Sequence, residues 1–123
     1  MKVLVSGGRS YQDHECVSSV LDAIHEQTRI TAIVTGGAQG ADWLAGFWAK
    51  SKGIEVFEYP ANWVRNGRAA GPIRNQAMLD ANPDLALCVT FPGGDGTANM
   101  ILLAKKRGLE VRQVGLPVVL REN

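Results

Sequence analysis

Three glycine pairs, two arginines and two aspartates are the residues in this chain whose types and spacing could do chemistry. The pairs lie in Ser6-Gly7-Gly8-Arg9, Thr35-Gly36-Gly37-Ala38-Gln39-Gly40 and Pro92-Gly93-Gly94-Asp95-Gly96-Thr97. Each follows an apolar run and precedes a helical pattern. Glycine leaves room for backbone N–H groups to converge on a ligand, and the next helix adds partial positive charge at its N-terminus. Three such elbows at one sheet edge describe a surface for a phosphate-bearing ligand. Gly7, Gly8, Gly36, Gly37, Gly93, Gly94, Gly96 and Thr97 are its expected contacts, and Thr97 is also placed to cap its helix. No Gly-Lys-Ser/Thr follows the third elbow, so it is not a Walker loop, and the first lacks the spacing of a dinucleotide fingerprint.

Arg9 directly follows the first pair, where pairing with a phosphate or carboxylate suits it. Arg74 stands near the start of a helix, a poor place for a cation, and a phosphate would account for it. Asn75 adjoins it. Asp42, in the opening turn of the helix after the second elbow, has two readings. It accepts bonds from ribose hydroxyls, or it serves only the helix dipole. Trp63 either stacks on a base or seals a core edge. Trp43 and Phe47, four apart, are a candidate oligomer contact if their face is exposed. His14 and His25 read as structural or solvent-facing, and no cluster has the look of a metal site.

These residues must be held by alternating strands and helices. Strands are expected at Lys2–Val5, Thr31–Thr35, Ile54–Tyr59, Leu85–Phe91 and Leu109–Val114, with Leu116–Leu120 an edge strand or tail. Ser10 reads as the N-cap of a first helix, with Asp13 in its opening turn and Val17, Val20, Leu21 and Ile24 on its inner stripe. A second helix spans Ala41 to Lys50, with Leu44, Ala45 and Trp48 facing inward. Pro72 opens a third that runs to about Ala81. The last spans Thr97–Lys106, with Met100, Leu103 and Ala104 inward. This alternation predicts a Rossmann-like three-layer α/β sandwich, with a parallel sheet of about five strands and helices on both faces.

At 123 residues the chain is expected to be one domain over 1–123, large enough for one packed core. Its 46% apolar and 20% charged content is that of a soluble globular protein. A net charge of +1 argues against bulk electrostatic capture of nucleic acid. Cys16 and Cys88 lack metal-ligand spacing and read as reduced, buried thiols. No signal-peptide core and no run near the roughly 20 apolar residues of a membrane span are present, so a cytoplasmic protein is expected.

Together these motifs resemble the SLOG superfamily, which includes the cytokinin-activating phosphoribohydrolases and the DNA-processing protein DprA. They are most similar to its small YspA or cpYpsA-related branch. The resemblance runs from Gly7-Gly8-Arg9-Ser10-Tyr11-Gln12-Asp13 through Thr35 to Asp42, Trp63 and Ala70 to Met78, and on to Pro92 through Met100. It implies a Rossmann-like fold binding a nucleotide or nucleotide-derived ligand along the glycine edge, in a dimer or larger homo-oligomer; no cofactor is expected. The phosphoribohydrolases carry an Arg-x-x-x-Met stretch, matched here by Arg74 and Met78, and a glutamate in Pro-Gly-Gly-x-Gly-Thr-x-x-Glu. Met100 occupies that glutamate position. Cleavage of an N-glycosidic bond needs a carboxylate near an oxocarbenium-like centre, which a thioether does not supply. Asp95, Asp42 and Asp13 are the acids that could substitute, and Asp42, Asp95 and Arg74 are the candidate catalytic residues.

The expected function is therefore binding of a nucleotide-derived, phosphate-bearing ligand in a sensing or sequestering role. The alternative is a nucleoside-monophosphate phosphoribohydrolase with a non-standard carboxylate. DprA-like binding of single-stranded DNA ranks third, because no run interleaves aromatics with basic residues.

Overall fold

The computed structural model describes residues 1–115. Its strands are β1 (Lys2–Ser6), β2 (Ala32–Thr35), β3 (Glu55–Glu58), β4 (Leu85–Thr90) and β5 (Val111–Gln113). Its helices are α1 (His14–Gln27), α2 (Ala41–Ser51), α3 (Trp63–Asn66), α4 (Ala70–Ala81) and α5 (Asp95–Lys106). All strand pairings are parallel, in the order β3-β2-β1-β4-β5. The expected Rossmann-like α/β sandwich is the fold. The Leu116–Leu120 segment lies outside the described residues.

Strand side chains alternate between two apolar layers, as a pleat of period two requires. Val3, Val5, Ile33, Leu87 and Val89 meet Val17, Leu21 and Ile24 of α1 and Leu44, Ala45 and Trp48 of α2. Leu4, Val34 and Cys88 point the other way, onto Met78 and Leu79 of α4 and Met100 and Ala104 of α5. Both sheet faces are covered, which is why the central strands read as unbroken apolar runs.

The chain moves outward from β1 through β2 to β3, then returns to β4 on the other side of β1. That reversal puts the topological switch point between β1 and β4. Ser6 is in register with Thr90 and Leu4 with Val34, so β1, β2 and β4 deliver their glycine elbows to one edge.

Several boundaries differ from the sequence expectation, each for a local reason. Asp13, not Ser10, caps α1, its Oδ1 accepting from the Cys16 N–H at 3.0 Å. Glycine conformations let α5 begin at Asp95, so Thr97 sits in its third position and does not cap it. The expected strand at Ile54–Tyr59 shortens to Glu55–Glu58, with Val56 partly buried and Phe57 turned outward beneath the Lys2 ammonium. Leu103 and Val20 are only partly buried, at the flanks of their stripes. Cys88 is buried, which pushes its thiol up to about 12, whereas Cys16 is half-buried; both are free. No helix among the described residues is long and apolar enough to cross a membrane.

Candidate functional site

The elbows first hold one another. The Gly8 N–H donates to the Pro92 carbonyl at 3.1 Å, joining the first elbow to the third. A Cβ on Gly8 would lie 2.7 Å from that carbonyl oxygen, and one on Gly7 would lie 2.5 Å from the Ala41 Cβ. The Gly8 carbonyl accepts from Ala41 N–H at 3.2 Å, tying in the second elbow. Close backbone approach therefore demands glycine at both positions, whatever binds. Gly93 and Gly94 take φ values of +102° and +89°, a left-handed turn that aims the start of α5 at the switch point. No side chain caps α5, so its first-turn N–H groups keep no side-chain acceptor.

Behind these loops, Gly36 fixes two charged side chains. Its N–H donates to Asp42 Oδ2 at 3.1 Å, and the Ala38 N–H donates to the same oxygen at 3.2 Å. Its carbonyl accepts from Arg74 Nη1 at 2.9 Å, an atom that also reaches the Tyr59 carbonyl at 3.3 Å. Arg74 Nε donates to Asn75 Oδ1 at 2.9 Å. Protein carbonyls thus account for the arginine near a helix start, without a phosphate. Arg74 Nη2 has no hydrogen-bond acceptor among the described residues. Asp42 Oδ1 is buried and likewise has no partner among them.

Burial dominates the titration of both groups. It raises the Asp42 carboxyl to about 6, against the two loop N–H bonds and the attraction of Arg74 and Arg9. It also lowers Arg74, with Asp42 opposing and Arg9 reinforcing. Desolvation outweighs their mutual attraction on both sides, although the guanidinium stays cationic.

The cleft at the switch point measures about 500 Å³. Of the residues expected from the sequence, Gly7, Gly8, Arg9, Asp42, Arg74, Gly93, Gly94, Asp95, Gly96 and Thr97 line it together. Gly36 and Gly37 line an adjoining chamber of about 290 Å³, which shares Arg9, Ala38, Trp63 and Arg74 with the cleft. Asn75 lies behind the wall: it is buried, and its Nδ2 donates to the Gly96 carbonyl and Asn99 Oδ1, each at 3.0 Å. It positions α5 against Arg74. Asp13 is occupied as the α1 cap and does not line the cleft, and Met100 is wholly buried in the inner layer with Met78.

Arg9 is exposed, its guanidinium 5.0 Å from the centre of the Trp63 ring. Both residues stand where cleft and chamber meet. The ring edge of Trp63 reaches over α4, where a Cβ on Gly71 would lie 3.6 Å from it. Sequence reasoning did not anticipate Ser6, Ser10, Ala38 and Gly71 as lining residues. Their signal was adjacency to the glycine motifs. His25 is structural, its Nδ1 accepting from the Ile30 N–H at 2.9 Å. Trp43 and Phe47 are exposed and stacked, with centroids 5.4 Å apart and planes 10° from parallel. Among the described residues, no three of His, Cys, Asp and Glu are grouped to hold a metal ion.

Fold and cleft together define a small doubly wound α/β domain with a glycine-built site at its switch point. The chain belongs to the YspA, cpYpsA-related SLOG family, whose pattern matches residues 1–65. It is similar to the Gene 61 protein of Mycobacterium phage D29, with 34% identity over 122 residues, covering 93% of this chain and 96% of that protein. Among solved structures it is similar to DNA processing protein A (DprA) from Streptococcus pneumoniae, with a TM-score of 0.75 at 16% identity. That match covers 96% of this chain and 51% of DprA, so the chain spans about half of that protein's length and shares its fold.

Proposed function

We propose that this protein binds a nucleotide or nucleotide-derived, phosphate-bearing ligand in the switch-point cleft, as a sensing or sequestering module. The observation that carries this reading is the convergence of the uncapped α5 N-terminus with Arg9 and Arg74 in one cleft of about 500 Å³. Helix N–H groups and guanidinium donors suit a phosphate, and the volume lies in the range of small-molecule sites. A thermal-shift panel of AMP, ADP-ribose, NAD and cyclic nucleotides tests it. A ligand at a hundred times its dissociation constant adds about 2.7 kcal/mol of stability. Stabilisation by at least one member is expected, and silence across the panel at millimolar concentrations overturns the reading.

A second reading, N-glycosidic hydrolysis, draws on Asp42 alone: a buried carboxyl raised to about 6 in the wall of a ligand cleft suits acid–base work. Asp95 also lines the cleft, exposed at the start of α5. Chromatography decides this reading, since absence of free base from every nucleotide at high protein concentration removes it. The exposed Trp43–Phe47 stack supports a homo-oligomeric contact, which light scattering of the wild type and Trp43→Ser tests.

A further inference from the structure

We infer that Asp42 reads a sugar hydroxyl of the ligand, making the site selective for ribose phosphates over their deoxy counterparts. The inference rests on the nucleotide reading above and names what the cleft demands beyond an anion. Asp42 is 5% exposed and stands in the cleft wall, yet only one of its two oxygens is used. Oδ2 takes both loop N–H groups, while Oδ1 has no donor among the described residues. An unpaired buried carboxylate oxygen is costly, and a ligand that donates to it recovers that cost on binding.

The donor's identity follows from the neighbours. A phosphate carries acceptors and negative charge, so Asp42 repels it. Arg74, held on the carbonyl of Gly36, whose N–H holds Asp42, attracts it. The cleft is therefore zoned, with an acceptor close to the arginine that favours the anion. A ligand satisfies both zones when a hydroxyl lies only a few bonds from its phosphate. The hydroxyls of a ribose 5-phosphate do so, whereas the exocyclic amine of a base lies beyond the sugar. Sites built to hydrogen-bond a hydroxyl reject analogues that lack it, because their own buried group is left unpaired.

Calorimetric titration with AMP, 2′-deoxy-AMP, 3′-deoxy-AMP, IMP and ribose 5-phosphate, on the wild type and Asp42→Asn, tests the proposal. At least one deoxy analogue should bind roughly tenfold or more weakly than AMP, the scale of a hydrogen bond to a charged group. IMP should match AMP, since it keeps both hydroxyls and lacks the amine. In Asp42→Asn the ratio of AMP to deoxy affinity should fall, because the amide oxygen takes the loop N–H groups and the neutral Nδ2 left facing the ligand makes a weaker bond to the hydroxyl than the carboxylate does. Binding of ribose 5-phosphate marks the sugar phosphate itself as the recognised unit. Equal binding of AMP and both deoxy forms overturns the inference and leaves the nucleotide reading standing. So does failure of AMP and ribose 5-phosphate to bind while NAD or a cyclic nucleotide stabilises the protein. Silence from every nucleotide overturns both.

Discussion

Asp42 and Arg74 are joined through one residue: Gly36 donates its N–H to Asp42 Oδ2 at 3.1 Å and accepts from Arg74 Nη1 at 2.9 Å through its carbonyl. One peptide neighbourhood thus orients a carboxyl on α2 and a guanidinium on α4, 32 positions apart in the chain. Each keeps one polar atom without a partner among the described residues, and both residues line the same cleft. The glycine is the hinge of the arrangement. A Cβ there would fall inside the Arg74 guanidinium.

Gly36→Ala should therefore act on the site more than on the fold. The φ of Gly36 lies outside the left-handed region, so the conflict is steric and local. Displacing Arg74 strands the Gly36 and Tyr59 carbonyls, and overpacking of this kind costs about 1–3 kcal/mol. Denaturant melts should show that loss. Affinity for any ligand that stabilises the wild type should drop by roughly tenfold or more, the scale of a charged hydrogen bond. Unchanged affinity would remove Arg74 from the site.

Asp42 gives stability a defined pH dependence. Its folded value of about 6 lies above the ordinary 3.8, so between these values the folded form holds more proton than the unfolded chain. Stability from this group is fully present below about pH 4 and is lost as pH rises through 6. At 1.36 kcal/mol per pH unit, the loss is on the order of 3 kcal/mol. Asp42→Asn removes the titration, so the stability of the variant relative to wild type should grow between pH 4 and pH 7. Paired denaturant melts across that range check it; parallel curves would show that the carboxyl titrates normally.

Arg9 and Trp63 should couple only weakly. A guanidinium over an exposed indole is worth about 0.5–1 kcal/mol, and a double-mutant cycle with Arg9→Ala and Trp63→Ala should return that value. Arg9→Ala should also change the emission of Trp63. A ligand anion that draws Arg9 into the cleft should reproduce the change, as read against Trp63→Phe.

Met100→Glu should not create a hydrolase. The side chain is wholly buried beside Leu4, Val34 and Met78, so a carboxylate there has no ready partner. Destabilisation of several kcal/mol is expected, with the new acid held neutral. A variant as stable as the wild type that releases free base from AMP would contradict this.

The strand–helix alternation was legible because each central strand is an unbroken apolar run and α1, α2 and α5 each carry a 3.6-residue stripe; the short α3 carries none and was not expected. Periodicity placed Leu44, Ala45 and Trp48 inside, and the missing N–H of proline placed Pro72 in the first turn of its helix. It was less able to locate ends. Asp13 replaced Ser10 as a cap, and α5 gained Asp95 and Gly96, because both boundaries depend on backbone angles that many sequences permit.

The sequence by itself determined the layers, the parallel sheet and the three glycine elbows, since local periodicity and turn chemistry encode them. Only the tertiary structure decided which elbow residues share one cleft and which support it. Gly7, Gly8 and Gly36 owe their identity largely to neighbours distant in the chain: Ala41 Cβ, the Pro92 carbonyl and the Arg74 guanidinium. Asn75 and Arg74 are adjacent in sequence, yet one braces α5 from behind the wall and the other faces the cleft. Successive helix positions point about 100° apart, and where each one points has meaning only once the sheet and its loops surround it.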